Sequence, residues 1–273
     1  MSRSDLMEFW HCPHRWIKGY HKKATESTDY GQLIDCYILD NQAFGSKYAV
    51  APKEYYNKKD DKDKPWNWNA TFCKDWRAEQ VEQGKLVIKS EDLEACKDAG
   101  ATMLNDQIIG RLLACSDKQV MLTGTWQDES GLSIPLKTLI DIVPLKDSAF
   151  SQYLCDMKTC RTASPYQWPR EVWKYGYHVQ AAFYADMYYA ATKEARDGFT
   201  HILQESYEPY EIGRRLLSEE FIEEGREKYQ SALKKYCQCL KSGVWPGYDD
   251  DSNMSIDGFT ITEPEAWMIK EKA

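Results

Sequence analysis

The chain has 273 residues, 42% hydrophobic and 13% aromatic, which excludes a disordered polypeptide and leaves material for a sizeable core. A net charge of −8 argues against a protein that tracks nucleic acid by overall charge, though metal ions or a local basic groove can offset clustered carboxylates. Nine cysteines form no regular framework, the opening MSRSDLMEFW lacks a secretory signal, and no stretch reaches roughly 20 apolar residues; a cytoplasmic protein with mostly reduced thiols and no membrane association is expected.

In chain order, Ser4 is placed to cap a first helix from Asp5 to about Tyr20, with Pro13 marking its end or a kink. Residues 31–39 (GQLIDCYIL) read as a second helical segment. Residues 52–70 are rich in lysine and aspartate and carry Pro65, the texture of an exposed excursion. Residues 73–84 and 90–115 have helical apolar spacing; in the second, Leu93, Cys96, Met103, Leu104, Ile108 and Leu112 can share one broad face. Residues 119–126, 132–144 and 152–158 read as consecutive strands, the first two joined by turn chemistry at 127–131. A long helix is expected from Pro169 to about Ala195, then a strand at 201–207 and a charged amphipathic helix at 218–240, opened by Ser218. No internal repeat is visible. The sum is a mixed α/β sheet with helical cover.

The chemistry concentrates in two strands. Asp141 interrupts the apolar run LIDIVP, and Asp156 interrupts YLCDMKT, with Lys158 two residues on. A carboxylate in an apolar strand is costly without a partner or a metal. Asp156 and Lys158 share one face of their strand, and Asp141 on a neighbouring strand can reach it. Two carboxylates and a lysine at one point suit phosphodiester hydrolysis: oxygen ligands hold Mg²⁺, and the lysine orients or deprotonates water or neutralises the phosphate. Asp and Lys two apart on a strand also occur as a solvent-facing ion pair, and strand-end aspartates as turn residues.

The order Asp141…Asp156-x-Lys158 resembles the PD-(D/E)XK nuclease superfamily. Gly31-Gln32-Leu33-Ile34-Asp35 looks like its early G-x-x-x-H motif, with aspartate replacing histidine, and YHVQAAFY, from Tyr177 to Tyr184, looks like its Q-x-x-x-Y motif. Residues 126–131 and 242–248 are similar to RecE-type exonucleases (exodeoxyribonuclease VIII), of the lambda-exonuclease-like kind used in phage recombination. Residues 4–15, ending Cys12-Pro13-His14-Arg15, resemble the opening helix of RecB-like nucleases. The likeness spans most of the chain except residues 45–115, a family-variable, insertion-like region within one nuclease domain covering 1–273.

The resemblance implies a restriction-endonuclease-like fold, a mixed central sheet flanked by helices. It implies catalysis by Asp141, Asp156 and Lys158, with Mg²⁺ (or Mn²⁺) on Asp35, Asp141, Asp156 and the Met157 backbone carbonyl. An aspartate at position 35 suits a hard cation as well as an imidazole does; the alternative is a surface residue. Gln180 and Tyr184, four apart on one helix face, are implied to hold substrate or lysine, or else pack in the core. His178 reads as structural. Ser4 either offers its helix N-terminus to a phosphate or merely caps it. Arg15 is either a 5′-phosphate clamp or an interface ion pair. Trp66 and Trp68 either stack on a DNA end or are buried against a subunit. An iron–sulfur cluster is not expected: Cys12 fits a first ligand, but Cys237 and Cys239 have no third partner after them.

The implied activity is 5′→3′ exonucleolysis of linear double-stranded DNA from its ends. It would be carried out by a homo-oligomeric ring of three or four subunits with a single-strand annealing partner, in a bacterial or phage-infected host cytoplasm. The alternatives are a structure-specific or RecB-like repair endonuclease of the same fold, or an inactive DNA-binding module.

Overall fold

A computed structural model describes residues 1–21, 26–250, 255–257 and 259–264. The chain opens with two helices where one was expected. α1 (Arg3–His11) is capped by Ser2, whose N–H donates to the Asp5 carboxylate at 2.9 Å while its Oγ accepts from the Asp5 N–H at 3.3 Å. This reciprocal cap starts the helix upstream of the expected point and leaves Ser4 exposed within the first turn. Cys12 is extended and Pro13 opens α2 (Pro13–Ile17), because proline fits the first position of a helix but not its interior. α3 (Glu26–Leu39) contains the expected second segment.

The next stretch builds outward and then returns. After the short α4 (Phe44–Lys47), β1 (Tyr48–Val50) is set to pair in parallel with a later strand. The lysine–aspartate excursion is a mostly exposed antiparallel hairpin of β2 (Glu54–Asn57) and β3 (Lys62–Pro65), with Lys64 paired to Asp60. Trp66 meets Trp68 at 5.7 Å and Trp76 of α5 (Thr71–Glu82) at 5.2 Å, so the two tryptophans pack at the base of the hairpin, within the chain. β4 (Leu86–Ile88) completes the parallel pair with β1.

The single helical face expected over 90–115 is split between α6 (Ser90–Asn105) and α7 (Gln107–Ala114). Asp106 ends the first and caps the second, accepting from the Ile108 and Ile109 N–H groups at 3.0 and 2.8 Å. The break re-aims α7. Cys96, Met103 and Leu112 are buried as expected, whereas Leu104 and Ile108 are 51% and 44% exposed and Ile109 and Leu113 enter the core instead.

One five-stranded sheet follows, in the order β5 (Ser116–Gln127), β6 (Ser133–Pro144), β7 (Tyr153–Cys160), β8 (Gly198–Glu205), β9 (Ile212–Leu216). β5, β6 and β7 form an antiparallel meander. The 127–131 turn closes on Asp128, whose carboxylate accepts from the Ser130 and Leu132 N–H groups. β7 and β8 are parallel, and the crossover between them carries α8 (Trp168–Tyr175) and α9 (Tyr177–Thr192). Gly176, at φ +64°, breaks what the sequence reads as one helix. β9, which the sequence reading missed, adds antiparallel to β8 as an edge strand. α10 (Glu219–Ser242) has Ser218 at its N-cap and ends at left-handed Gly243.

Strand alternation divides the core. Cys155, Met157, Ile142 and Ile202 face α3, α6 and α7, where Leu33, Ile34, Cys96, Met103 and Ile109 meet them. Leu154, Ile140, Phe199 and Leu203 face α8 and α9 through Val172, Ala181 and Tyr188. A second layer of α1 and α10 covers α9 through Leu6, Phe9, Phe183 and Leu233. Gly225 lets α10 cross α9 closely, since a Cβ there would lie 2.2 Å from the His178 carbonyl oxygen. The result is the expected mixed central sheet flanked by helices. No helix among the described residues is long and apolar enough to cross a membrane.

Candidate active site

Asp156 lies on the α9 face of β7 and is 1% exposed. Its burial is compensated twice: Lys158 forms an ion pair with one oxygen, and Gln180 Nε2 donates to the other at 2.7 Å. Lys158 Nζ also donates to the Met157 carbonyl at 3.3 Å and sits 5.2 Å from the centre of the Tyr177 ring. Tyr177 and Gln180 belong to the first turn of α9, directly after the Gly176 break. Tyr184, one turn further, lies beside Gln180 and Thr138, and burial raises its hydroxyl pKa. The Q-x-x-x-Y face therefore points at the carboxylate.

Asp141 arrives by a different route. Along β5 and β6, Lys118 pairs with Ile142 and Val120 with Ile140, but the intervening Gln119 and Asp141 drop out of the ladder. Gln119 is there in a left-handed conformation, φ +53°. β6 and β7 share the single partner pair Ile142–Cys155, and one residue beyond it the Asp141 carboxylate fills the gap between the strands. Its Oδ2 accepts from the Met157 N–H at 3.0 Å and its Oδ1 from Gln119 Nε2 at 3.1 Å. A side chain thus takes a backbone donor that a regular ladder would have used.

Asp35 reaches the same place from the other face. At Gly31, α3 runs close to β7: a Cβ there would lie 3.0 Å from Thr159 Oγ1. Asp35, one turn along, lines a common cavity with Asp141. The aspartate in the early motif is at the site, not on an unrelated surface.

The electrostatics of this cluster are unbalanced. Burial raises the Asp35 pKa to about 7, with Lys158 opposing the rise and Asp156 adding to it. Burial, then Asp156, raises Asp141 well above the usual carboxylate range, against the pull of Lys158 and the Met157 N–H. Burial works against the Lys158 charge, but Asp156 and Asp141 outweigh it and hold its pKa above the ordinary lysine value. Three carboxylates face one ammonium inside the cluster. When all are ionised, negative charge exceeds positive, and the buried Arg3 guanidinium, which interacts with Asp156, offsets only part of the excess.

The donor chemistry fits a divalent cation. Among the described residues no three His, Cys, Asp or Glu side chains close into a ready-made cage. Magnesium does not need one; it uses one or two carboxylates and keeps several waters. Asp141, Asp156 and the Met157 carbonyl are all-oxygen donors, and Asp35 adds a further carboxylate at the cavity wall.

Other expected residues lie elsewhere. Ser4 is neither a cap nor a contact of this cluster. Arg15 is exposed and donates to the Tyr248 hydroxyl at 3.1 Å; its motif meets the 242–248 segment, where His14 N–H also donates to the Pro246 carbonyl. Trp16 stacks on Trp245 at 5.9 Å in the same junction. His178 is buried, stacked on Trp173 at 4.9 Å and bonded to the Val172 carbonyl, a structural role. None of the nine cysteines is joined in a disulfide.

Four neighbours escaped the sequence reading. Gln119 holds Asp141, and Tyr177 lies under Lys158. Arg3 donates through Nη2 to the Tyr175 carbonyl at 2.6 Å and to that of Gly176, fastening α1 to the turn that launches α9. His201 stands beside Asp156 in the β7–β8 register, wholly buried, and burial lowers its pKa to about 3, so it is neutral. Gln119 carried no legible signal; Tyr177 opens the YHVQAAFY segment, Arg3 directly precedes the 4–15 segment, and a histidine in an apolar strand marks His201.

A crystal structure from Eubacterium rectale, described as a candidate exonuclease, is similar with a TM-score of 0.59 at 14% identity, over 98% of this chain and 91% of that one. At this identity the likeness establishes the fold. No curated protein matches the chain. Residues 2–255 match the family described as "PDDEXK-like domain of unknown function (DUF3799)". The chain belongs to this PDDEXK-like family, and its fold is the nuclease fold to which the order Asp141…Asp156-x-Lys158 pointed.

Proposed function

We propose that the protein is a Mg²⁺-dependent exodeoxyribonuclease that degrades linear double-stranded DNA from its ends in the 5′→3′ direction, leaving single strands for recombination. The observation that carries the reading is the meeting of Asp141, Asp156 and Lys158 in a largely buried cluster with an excess of negative charge. Asp141, Asp156 and the Met157 carbonyl would hold the ion, with Asp35 alongside; Mn²⁺ would substitute. When bound, the ion lowers the pKa of water and stabilises the charge that grows on the leaving oxygen.

The protein's own residues supply the rest. Lys158, paired with Asp156, is placed to orient the attacking water or take its proton and to neutralise the crowded phosphate. Gln180 fixes one Asp156 oxygen, so the carboxylate presents the other to the reaction. Attack on phosphorus with rupture of the O3′–P bond leaves a 5′-phosphate and a 3′-hydroxyl. End dependence, polarity, a ring of three or four copies and an annealing partner are supported by the resemblance to RecE-type exonucleases.

The test is incubation with linear and covalently closed duplex DNA, in Mg²⁺ or EDTA. Loss of the linear form alone, in Mg²⁺ alone, and no cutting by Asp156→Ala or Lys158→Ala, is expected. Cutting of closed circles would overturn end dependence, and full activity in Asp156→Ala would overturn the site.

A further inference from the structure

A cavity of about 450 Å³ opens beside the carboxylates, and it divides chemically. Its lining joins Asp35 and Asp141, with Gln119, to the ion pair of Lys47 and Asp40 and to Tyr48, Leu86 and Leu139. Leu86 and Leu139 are 53% and 37% exposed, two large apolar side chains left in water at the mouth of a polar hollow. Such a volume falls within the roughly 300–1,000 Å³ of small-ligand sites, which combine apolar walls with a few convergent polar groups.

The backbone beneath it is under constraint. Gln119 holds φ +53° without being glycine or asparagine, in a strand whose neighbours pair regularly. A residue held in that region costs free energy, and such residues concentrate at ligand sites. The conformation aims the Gln119 amide at Asp141 Oδ1, 3.1 Å away, in the cavity lining. Three carboxylates, Asp35, Asp40 and Asp141, outnumber the one lysine, Lys47, so the cavity disfavours a bare phosphate but accepts one that arrives with a divalent cation, while Leu86 and Leu139 suit a flat uncharged ring.

We infer that this cavity is a subsite for one nucleoside unit of the DNA strand being cut. Its phosphate lies at the Asp35–Asp141 end with the cation, its sugar and base lie against Leu86 and Leu139, and the Gln119 amide turns from Asp141 to the nucleotide. The inference rests on the nuclease reading and adds the part of the substrate that this wall recognises. Leu86 and Tyr48 come from the parallel pair β1–β4, within the stretch 45–115 to which the sequence assigned no role.

The experiment is calorimetric titration of the full chain with Mg²⁺ present, using deoxyadenosine 5′-monophosphate and, separately, inorganic phosphate. The nucleotide is expected to bind about tenfold more tightly than phosphate, because only it covers the apolar mouth. In Leu86→Ser/Leu139→Ser the two affinities are expected to converge to within about threefold, with phosphate and Mg²⁺ binding unchanged. Leu86→Ser alone, at an exposed strand position, keeps the test decisive if the double variant misfolds; it is expected to narrow the gap by about threefold. A nucleotide that binds no better than phosphate, or a gap that survives the variants, overturns the subsite. Failure of the wild type to cut DNA while the gap persists removes the nuclease reading and leaves the subsite; cutting without a gap does the reverse.

Discussion

The ion pair between Asp156 and Lys158 is open to a double-mutant cycle whose outcome follows from burial. The two side chains are 2% and 18% exposed. Asp156→Ala takes from the Lys158 ammonium the carboxylate it is hydrogen-bonded to and leaves it the Tyr177 ring, the Met157 carbonyl and the more distant charges of Asp141 and Asp35. Lys158→Ala leaves a buried carboxylate with Gln180 as its remaining donor. Breaking a buried pair from one side costs about 3–5 kcal/mol, because the orphaned charge cannot be hydrated. Removing both groups removes the orphan, so Asp156→Ala/Lys158→Ala is expected to cost at least about 2 kcal/mol less than the sum of the single variants. Urea unfolding in EDTA at pH 7 measures all four proteins, with equal m-values as the check on comparability. Single-variant costs that add to within about 0.5 kcal/mol would refute the reasoning, since uncoupled groups do not share a buried ion pair.

Three further outcomes are expected. Asp35 has a pKa of about 7 in the fold against a lower unfolded value, so its protonated form contributes stability that is complete below about pH 4 and lost as pH rises through about 7. Without metal, Asp35→Asn is therefore expected to be more stable than the wild type at pH 8, by about 1–3 kcal/mol after allowance for partial exposure, and the gap to narrow to about a third at pH 5; a pH-independent gap would contradict this. Gly225→Ala places a Cβ 2.2 Å from a carbonyl oxygen and 2.5 Å from its carbon, backbone atoms that cannot yield, and is expected to destabilise by about 3 kcal/mol in urea unfolding. Gly31→Ala should push α3 off β7 at Thr159 and lower the rate of DNA cutting; Thr159→Ala, which removes the opposing Oγ1, should restore it, and failure of the rescue would show that this contact does not position Asp35.

The strands of the candidate site were legible because the signal is local: a charge is costly in an apolar strand, so Asp141, Asp156 and Lys158 stand out from the sequence. The Gln180–Tyr184 face was legible for a similar reason, since four-residue spacing fixes a helix face. Helix existence was readable, and so was the break at Pro13, but two later breaks were not. Asp106 and Gly176 each divide a run of continuous apolar periodicity, and only the cap geometry at the one and the left-handed turn at the other show where. Residue type marks Ser4 as a cap, yet Ser2 is of the same type and has Asp5 three residues on to complete the box. β9, with the sequence IGRRL, is short and has no clear alternation. Gln119 was out of reach: its role depends on a backbone bulge and on an opposing strand that the sequence does not place in register. Arg3 acts across 173 positions on a carbonyl, a contact with no sequence pattern.

The most direct test of the central claim is anomalous diffraction from crystals grown or soaked with Mn²⁺. One peak is expected about 2 Å from carboxylate oxygens of both Asp141 and Asp156 and from the Met157 carbonyl, with Gln119 released from Oδ1 and Lys158 no longer occupying the coordinating oxygen of Asp156. A protein that cuts DNA while its manganese lies elsewhere, with these two carboxylates still bound to Gln119 and Lys158, would contradict the account.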